Sequence, residues 1–147
     1  MRSSTRVAVL APLALLALAV PAFLATPPQA AEGGALDDSM QTLQAGVKGL
    51  EKALEKKEVP KALELIAEMQ KAAHEAKLGT PPKAAEVADA AEKGKFLTGY
   101  RLKFIELERG LLDVEAALVE GKPEDAKKAL DAKVKPVKKA GHDSYKD

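Results

Sequence analysis

Few nitrogen or sulfur side chains in this 147-residue chain can ligate a transition metal. There are two histidines, His74 and His142, three methionines and no cysteine. The missing thiol excludes disulfides, thiol nucleophiles, iron–sulfur clusters, thiolate zinc sites and covalent cofactor attachment through Cys-x-x-Cys-His. No Gly-rich phosphate loop, Glu-x-x-His pair or nucleophile–base arrangement is present, so enzymatic catalysis is not expected. What is left is a soft thioether, Met40, and an imidazole, His142, far apart in sequence. Together such groups suit a transition metal. Taken singly they are ordinary: Met40 reads as a core methionine, His142 as a surface histidine, and His74, beside Glu75, as an exposed or half-buried helix residue.

The elements that position these groups read as four helices. The first runs roughly 37–58, with Met40, Leu43, Val47, Leu50 and Leu54 at steps of 3, 4, 3 and 4. That spacing is one packed seam. Asp37 and Asp38 are placed to cap its start. The second begins near Pro60, buries Leu63, Ile66, Met69 and Ala73, and stops at Gly79-Thr80-Pro81-Pro82. Residues 83–94 read as a loose crossover with a helical turn in it. The third runs roughly 95–120 along Phe96, Tyr100, Phe104, Leu107, Leu111, Val114 and Leu118. Gly121 ends it, and Pro123 opens the fourth, with Ala126, Ala129, Leu130, Val134 and Val137 inward. Pro136 is expected to kink the fourth helix and angle 138–145 separately. No segment shows sustained strand alternation, and short turns between helices 1 and 2 and between 3 and 4 favour antiparallel neighbours. The fold class is all-α, an antiparallel up-down-up-down four-helix bundle.

In that topology the start of helix 1, the start of helix 3 and the end of helix 4 share one end of the bundle. Met40, Phe96, Tyr100 and His142 therefore converge. A thioether with an imidazole is a ligand pair for low-spin haem iron, with Phe96 and Tyr100 placed to pack on the ring. Without cysteine the haem would be held noncovalently.

Residues 1–31 read as a leader outside the fold. Arg2 and Arg6 precede an apolar run over 7–24, broken by Pro12 and Pro21, and a small-residue exit between Ala22 and Ala35. That is the pattern of a cleavable secretory signal peptide, and eighteen apolar residues also just suffice for a membrane anchor. The bundle domain is then 32–147. Cleavage takes Arg2 and Arg6 off the 23 basic residues and nothing off the 22 acidic ones, so the net charge goes from +1 to −1. Such a balance argues against nucleic-acid binding. No membrane association is expected after cleavage.

Several short segments carry a resemblance. Asp38-Ser39-Met40-Gln41-Thr42-Leu43, Thr80-Pro81-Pro82-Lys83, Phe96-Leu97-Thr98-Gly99-Tyr100, Gly121-Lys122 and Gly141-His142-Asp143-Ser144-Tyr145 occur in order. Over nearly all of 36–146 the chain resembles the soluble periplasmic cytochrome b562 family. The resemblance implies Met40 and His142 as axial ligands of a b-type haem, with Leu43, Phe96 and Tyr100 as haem contacts. Tyrosine stands at Tyr100 where the family has a second phenylalanine. Lys138 and Lys146 stand where the family has arginines around the histidine, and as point charges they would pair with haem propionates without a bidentate fork. Pro136 is not part of the family pattern.

The function expected from this reading is electron transfer in the periplasm, by a monomer that meets redox partner proteins transiently. Filling both axial positions leaves none for oxygen or substrate, and the methionine sulfur favours ferrous iron. Two alternatives stand beside it. One is a haem-free periplasmic binding or chaperone-like bundle. The other is a metal-binding bundle built on His74 and nearby glutamates.

Overall fold

The computed structural model describes residues 33–145. The leader, and with it the boundary at residue 31, lies outside the described residues, as does Lys146. The described residues form helices and turns, with no strand among them. Helix α1 spans Gly33–Glu55, α2 Val59–Leu78, and α3 Ala90–Val119. Helix α4 (Pro123–Ala129) continues through a π-helical turn over Leu130–Val134 into α5 (Lys135–Tyr145), so these three make one fourth rod.

Apolar seams bring the rods together. Leu43, Val47, Leu50 and Leu54 of α1 join Ile66, Met69 and Ala73 of α2, then Phe104, Leu107, Leu111, Val114 and Leu118 of α3 and Ala126, Leu130, Val134 and Val137 of the fourth rod, in one buried cluster. Alanine and glycine let the first pair approach closely: a Cβ on Gly46 would lie 2.4 Å from the Met69 side chain. Polar ties then fix the rods against one another. Gln70 Nε2 donates to Glu115 Oε2 (2.6 Å), Lys77 pairs with Glu108 (2.6 Å), Lys133 with Asp113 (2.7 Å), and Lys135 with Glu51.

The two turns at one end close alike. Glu58 N–H donates to Ala53 O and Lys57 N–H to Leu54 O; Lys122 N–H donates to Ala117 O and Gly121 N–H to Leu118 O. This is the pattern that satisfies the last carbonyls of a helix around one left-handed residue. Gly121 holds φ 72° without strain, whereas Lys57 holds φ 59° with a side chain attached.

Three sequence expectations need correcting. Helix α1 begins at Gly33, so Asp37 and Asp38 lie inside it and do not cap it. Its first turns are held by Leu36, which is buried and against which a Cβ on Gly79 would pack at 3.6 Å. The crossover is shorter than expected. It holds the expected helical turn, a 3-10 turn over Pro82–Ala85 after buried Pro81, but Asp89 accepts from Glu92 N–H (2.8 Å) and starts α3 five residues before Lys95. Finally, Pro136 does not split the fourth rod. An α-helix there would leave the Ala132 carbonyl without a donor and crowd it with the proline ring. Instead Lys135 N–H reaches back to Leu130 O, widening the turn just ahead of the proline.

The widened turn also solves a register problem. Ala126 and Tyr145 both face inward and stand 19 residues apart, whereas five α-helical turns take about 18. The π turn absorbs the extra residue. A continuous α-helix would have aimed Lys133 and Ser144 inward.

Candidate functional site

At the end opposite the two tight turns, the bundle opens into a cavity of about 460 Å³. Such a volume falls within the roughly 300–1,000 Å³ of small-molecule and cofactor pockets. Helix α1 supplies Leu36, Met40 and Leu43 to its wall, with Gln41 and Gln44. The crossover supplies Pro81 and Pro82, α3 Tyr100, Lys103, Phe104 and Leu107, and α5 Val137, Lys138, Gly141 and Tyr145. The wall is apolar, with one thioether and two ammonium groups set into it. Asp37 stands at the α1 rim.

Every aromatic ring among the described residues is at this end. Tyr145 packs edge-on against Phe96 (centroids 5.1 Å) and Tyr100 (5.2 Å), and Tyr100 packs against Phe104 (5.0 Å). Gly99 makes room for this: a Cβ there would lie 2.9 Å from the Tyr145 hydroxyl. The Tyr100 hydroxyl is buried and donates to Ala76 O (2.7 Å), one of the last carbonyls of α2. Burial pushes its phenol well above the ordinary tyrosine range, so it stays a neutral donor. Tyrosine can therefore replace phenylalanine here because its polar tip has a partner.

The two lysines of the wall differ. Lys103 Nζ donates to Glu106 Oε2 at 2.9 Å, and this bond raises its pKa. Lys138 is half-buried and makes no ion pair within 4 Å among the described residues. Its pKa is lowered, first by burial and then by the Lys48 ammonium, against a smaller opposite pull from Glu51.

Of the residues singled out in the sequence, Met40, Leu43, Tyr100 and Lys138 line the cavity together. Phe96 is half-buried and stands off the wall, in contact with Tyr145. His142 follows the wall residue Gly141 in α5, four residues after Lys138. His74 is 64% exposed, with Nδ1 3.9 Å from Glu108 Oε1. No group of three His, Asp or Glu able to hold a metal occurs among the described residues, which removes the support for a site around His74. No helix among them is long and apolar enough to cross a membrane.

Sequence reasoning passed over Tyr145 and Lys103. Tyr145 was legible as one of only two tyrosines, in the same short segment as His142. Lys103 gave no signal, since it sits beside the seam and not on it.

The site fits a flat, largely apolar, anionic cofactor that binds a soft metal donor. Aromatic and aliphatic walls suit a macrocycle, Met40 offers a sulfur, and Lys138 has no ion-pair partner within 4 Å among the described residues. A family model for cytochrome b562 matches residues 35–146. No curated protein matches the chain.

Proposed function

The chain belongs to the cytochrome b562 family of b-type haem electron carriers, and from that premise we propose that it is an exported, periplasmic cytochrome whose haem iron is held by Met40 and His142. One observation carries the reading. Met40 of α1 and Gly141 of α5, the residue before His142, line the same cavity from two different rods.

Bound haem supplies a one-electron couple at its iron. The chain's own groups do the rest. Met40 provides a neutral sulfur, which favours the reduced metal, and His142 provides the second ligand. Tyr100, Phe104, Leu43 and Leu107 exclude water and keep the local dielectric low. Phe96 braces that wall from behind through Tyr145. Lys138 and Lys146 neutralise the propionates. Both ligands sit on packed helices, so little has to move on electron transfer. Partners dock transiently as redox proteins, and the carrier works as a monomer.

The test is a haemin titration of the exported form, followed by oxidised and dithionite-reduced spectra. A one-to-one endpoint with sharp low-spin bands is expected. Met40→Ala and His142→Ala should each weaken binding and convert the iron to high spin. Unchanged spectra in both variants would overturn the ligand assignment. A wild-type spectrum like that of free haem would leave a haem-free bundle.

A further inference from the structure

Two cations stand at similar depths on adjoining walls of the cavity. Helices α3 and α5 are antiparallel neighbours, pinned where Phe96 meets Tyr145. Lys103 lies seven residues beyond Phe96, and Lys138 seven residues before Tyr145. Two helical turns on each side, about 10.5 Å at 1.5 Å per residue, bring both to similar depths, and the packing of Gly110 on Lys133 and Val134 further along keeps the offset within about one helical turn. Both line the cavity. The wall's acid, Asp37, is far from that level: the Lys135–Glu51 pair sets Lys138 near the level of Lys48 on α1, and Asp37 stands eleven residues before Lys48. At about 1.5 Å per residue that separates them by roughly 16 Å along the helix.

Lys103 is available in spite of its ion pair. Its partner Glu106 is three residues on in the same helix, and the pair is partly solvated, with side chains 41% and 54% exposed. Such surface pairs hold a lysine weakly. A carboxylate presented inside the cavity, in a less polar setting, would compete for the ammonium.

We propose that Lys103 is a ligand-binding residue of this cavity, closing with Lys138 a two-cation clamp on the carboxylates of the bound molecule. The assignment rests on the haem reading above, in which those carboxylates are the propionates. It makes Lys103 a determinant of which porphyrins the site accepts: one with free carboxylates at this edge is held, and one with neutral esters loses the clamp.

The experiment compares haemin with haemin dimethyl ester on wild-type protein, Lys103→Met, Lys103→Arg and Glu106→Gln, with far-ultraviolet circular dichroism confirming the helical fold of each. Wild type should bind haemin more tightly than the ester. Lys103→Met should weaken haemin binding about five- to tenfold, the size of one partly solvated charge-assisted bond, and leave ester binding unchanged. Lys103→Arg should keep haemin affinity. Glu106→Gln removes the competing carboxylate and should tighten haemin binding about two- to threefold, a gain that misfolding cannot mimic. Equal losses for both porphyrins in Lys103→Met, or no loss for either, would overturn the clamp while leaving the haem reading standing. Failure of wild type to bind either porphyrin would overturn both.

Discussion

On the proposed haem reading, Lys138 would oppose folding and favour binding. In the free protein its ammonium is half-buried and close enough to Lys48 to feel that charge, so its pKa lies below the ordinary 10.5. The folded state therefore sheds this proton more readily than the unfolded chain. The penalty is fully present below the folded pKa. It is relieved as pH rises from there to 10.5, because over that window the unfolded chain binds more protons. Lys138→Met should accordingly melt at a higher temperature than wild type near neutral pH without ligand. That advantage should shrink as pH approaches 10.5, and the same variant should bind haemin more weakly. Paired thermal melts across that pH range, read as the difference between the two proteins, test the sign. At this scale the sequence was informative wherever a residue sat on a repeating seam. Met40, Leu43 and Tyr100 fall on steps of three and four, so their inward aim was legible. Lys103 lies between Tyr100 and Phe104 on the flank of the same helix, and only the positions of neighbouring rods show that the flank borders a cavity.

Elements were legible to the extent that their signals were local. The seams and the far-end turns needed only short-range patterns. The start of α3 was also written locally, as Asp89 followed three residues later by Glu92, but the alanine-rich surroundings masked it. The start of α1 was not local: Gly33 and Gly34 are poor helix formers, and a tertiary contact of Leu36 at the α2 terminus extends the helix. Pro136 had the right physics and the wrong consequence. The sequence shows a proline inside a helix, yet the remedy depends on the inward register from Ala126 to Tyr145. If the π turn holds one spare residue, deletions around it should behave asymmetrically. Against a Pro136→Ala background, which removes the proline's own cost of about 3 kcal/mol in a regular helix, deleting exposed Ala132 should convert the turn to α-helix. Val137, Gly141 and Tyr145 would then still face the cavity, and haemin binding should survive. Deleting Ala140 in the same background rotates everything after it by about 100° and should abolish binding. Equal loss in both deletions would refute the spare-residue account.

At the scale of the whole molecule, the bundle is tight at one end and hollow at the other. The far end is closed by two hydrogen-bonded turns, and the middle by fully buried Leu50, Ile66, Leu111 and Leu130. The opposite end keeps a cavity of about 460 Å³ walled by α1, α3, α5 and the crossover. Side chains around an unfilled space forgo dispersion contacts they would otherwise make. A haem held there as proposed would make such contacts and supply anions for the wall lysines. Binding and folding are therefore linked, and the linkage has a size. At free haemin a hundredfold above its dissociation constant, the folded state gains about 2.7 kcal/mol. For a domain of this length, each kcal/mol moves the melting temperature by roughly 4–6 °C. Haemin should thus raise the melting temperature by roughly 10–15 °C, and Met40→Ala should lose much of that rise while melting close to wild type without haemin. Met40 is only partly buried and packs against the edge of the core, so its truncation costs the free bundle little. Melts with and without haemin separate the two contributions. A ligand-free Met40→Ala protein that melted as far below wild type as the liganded one would make Met40 a core residue first, and a haem ligand only by proximity.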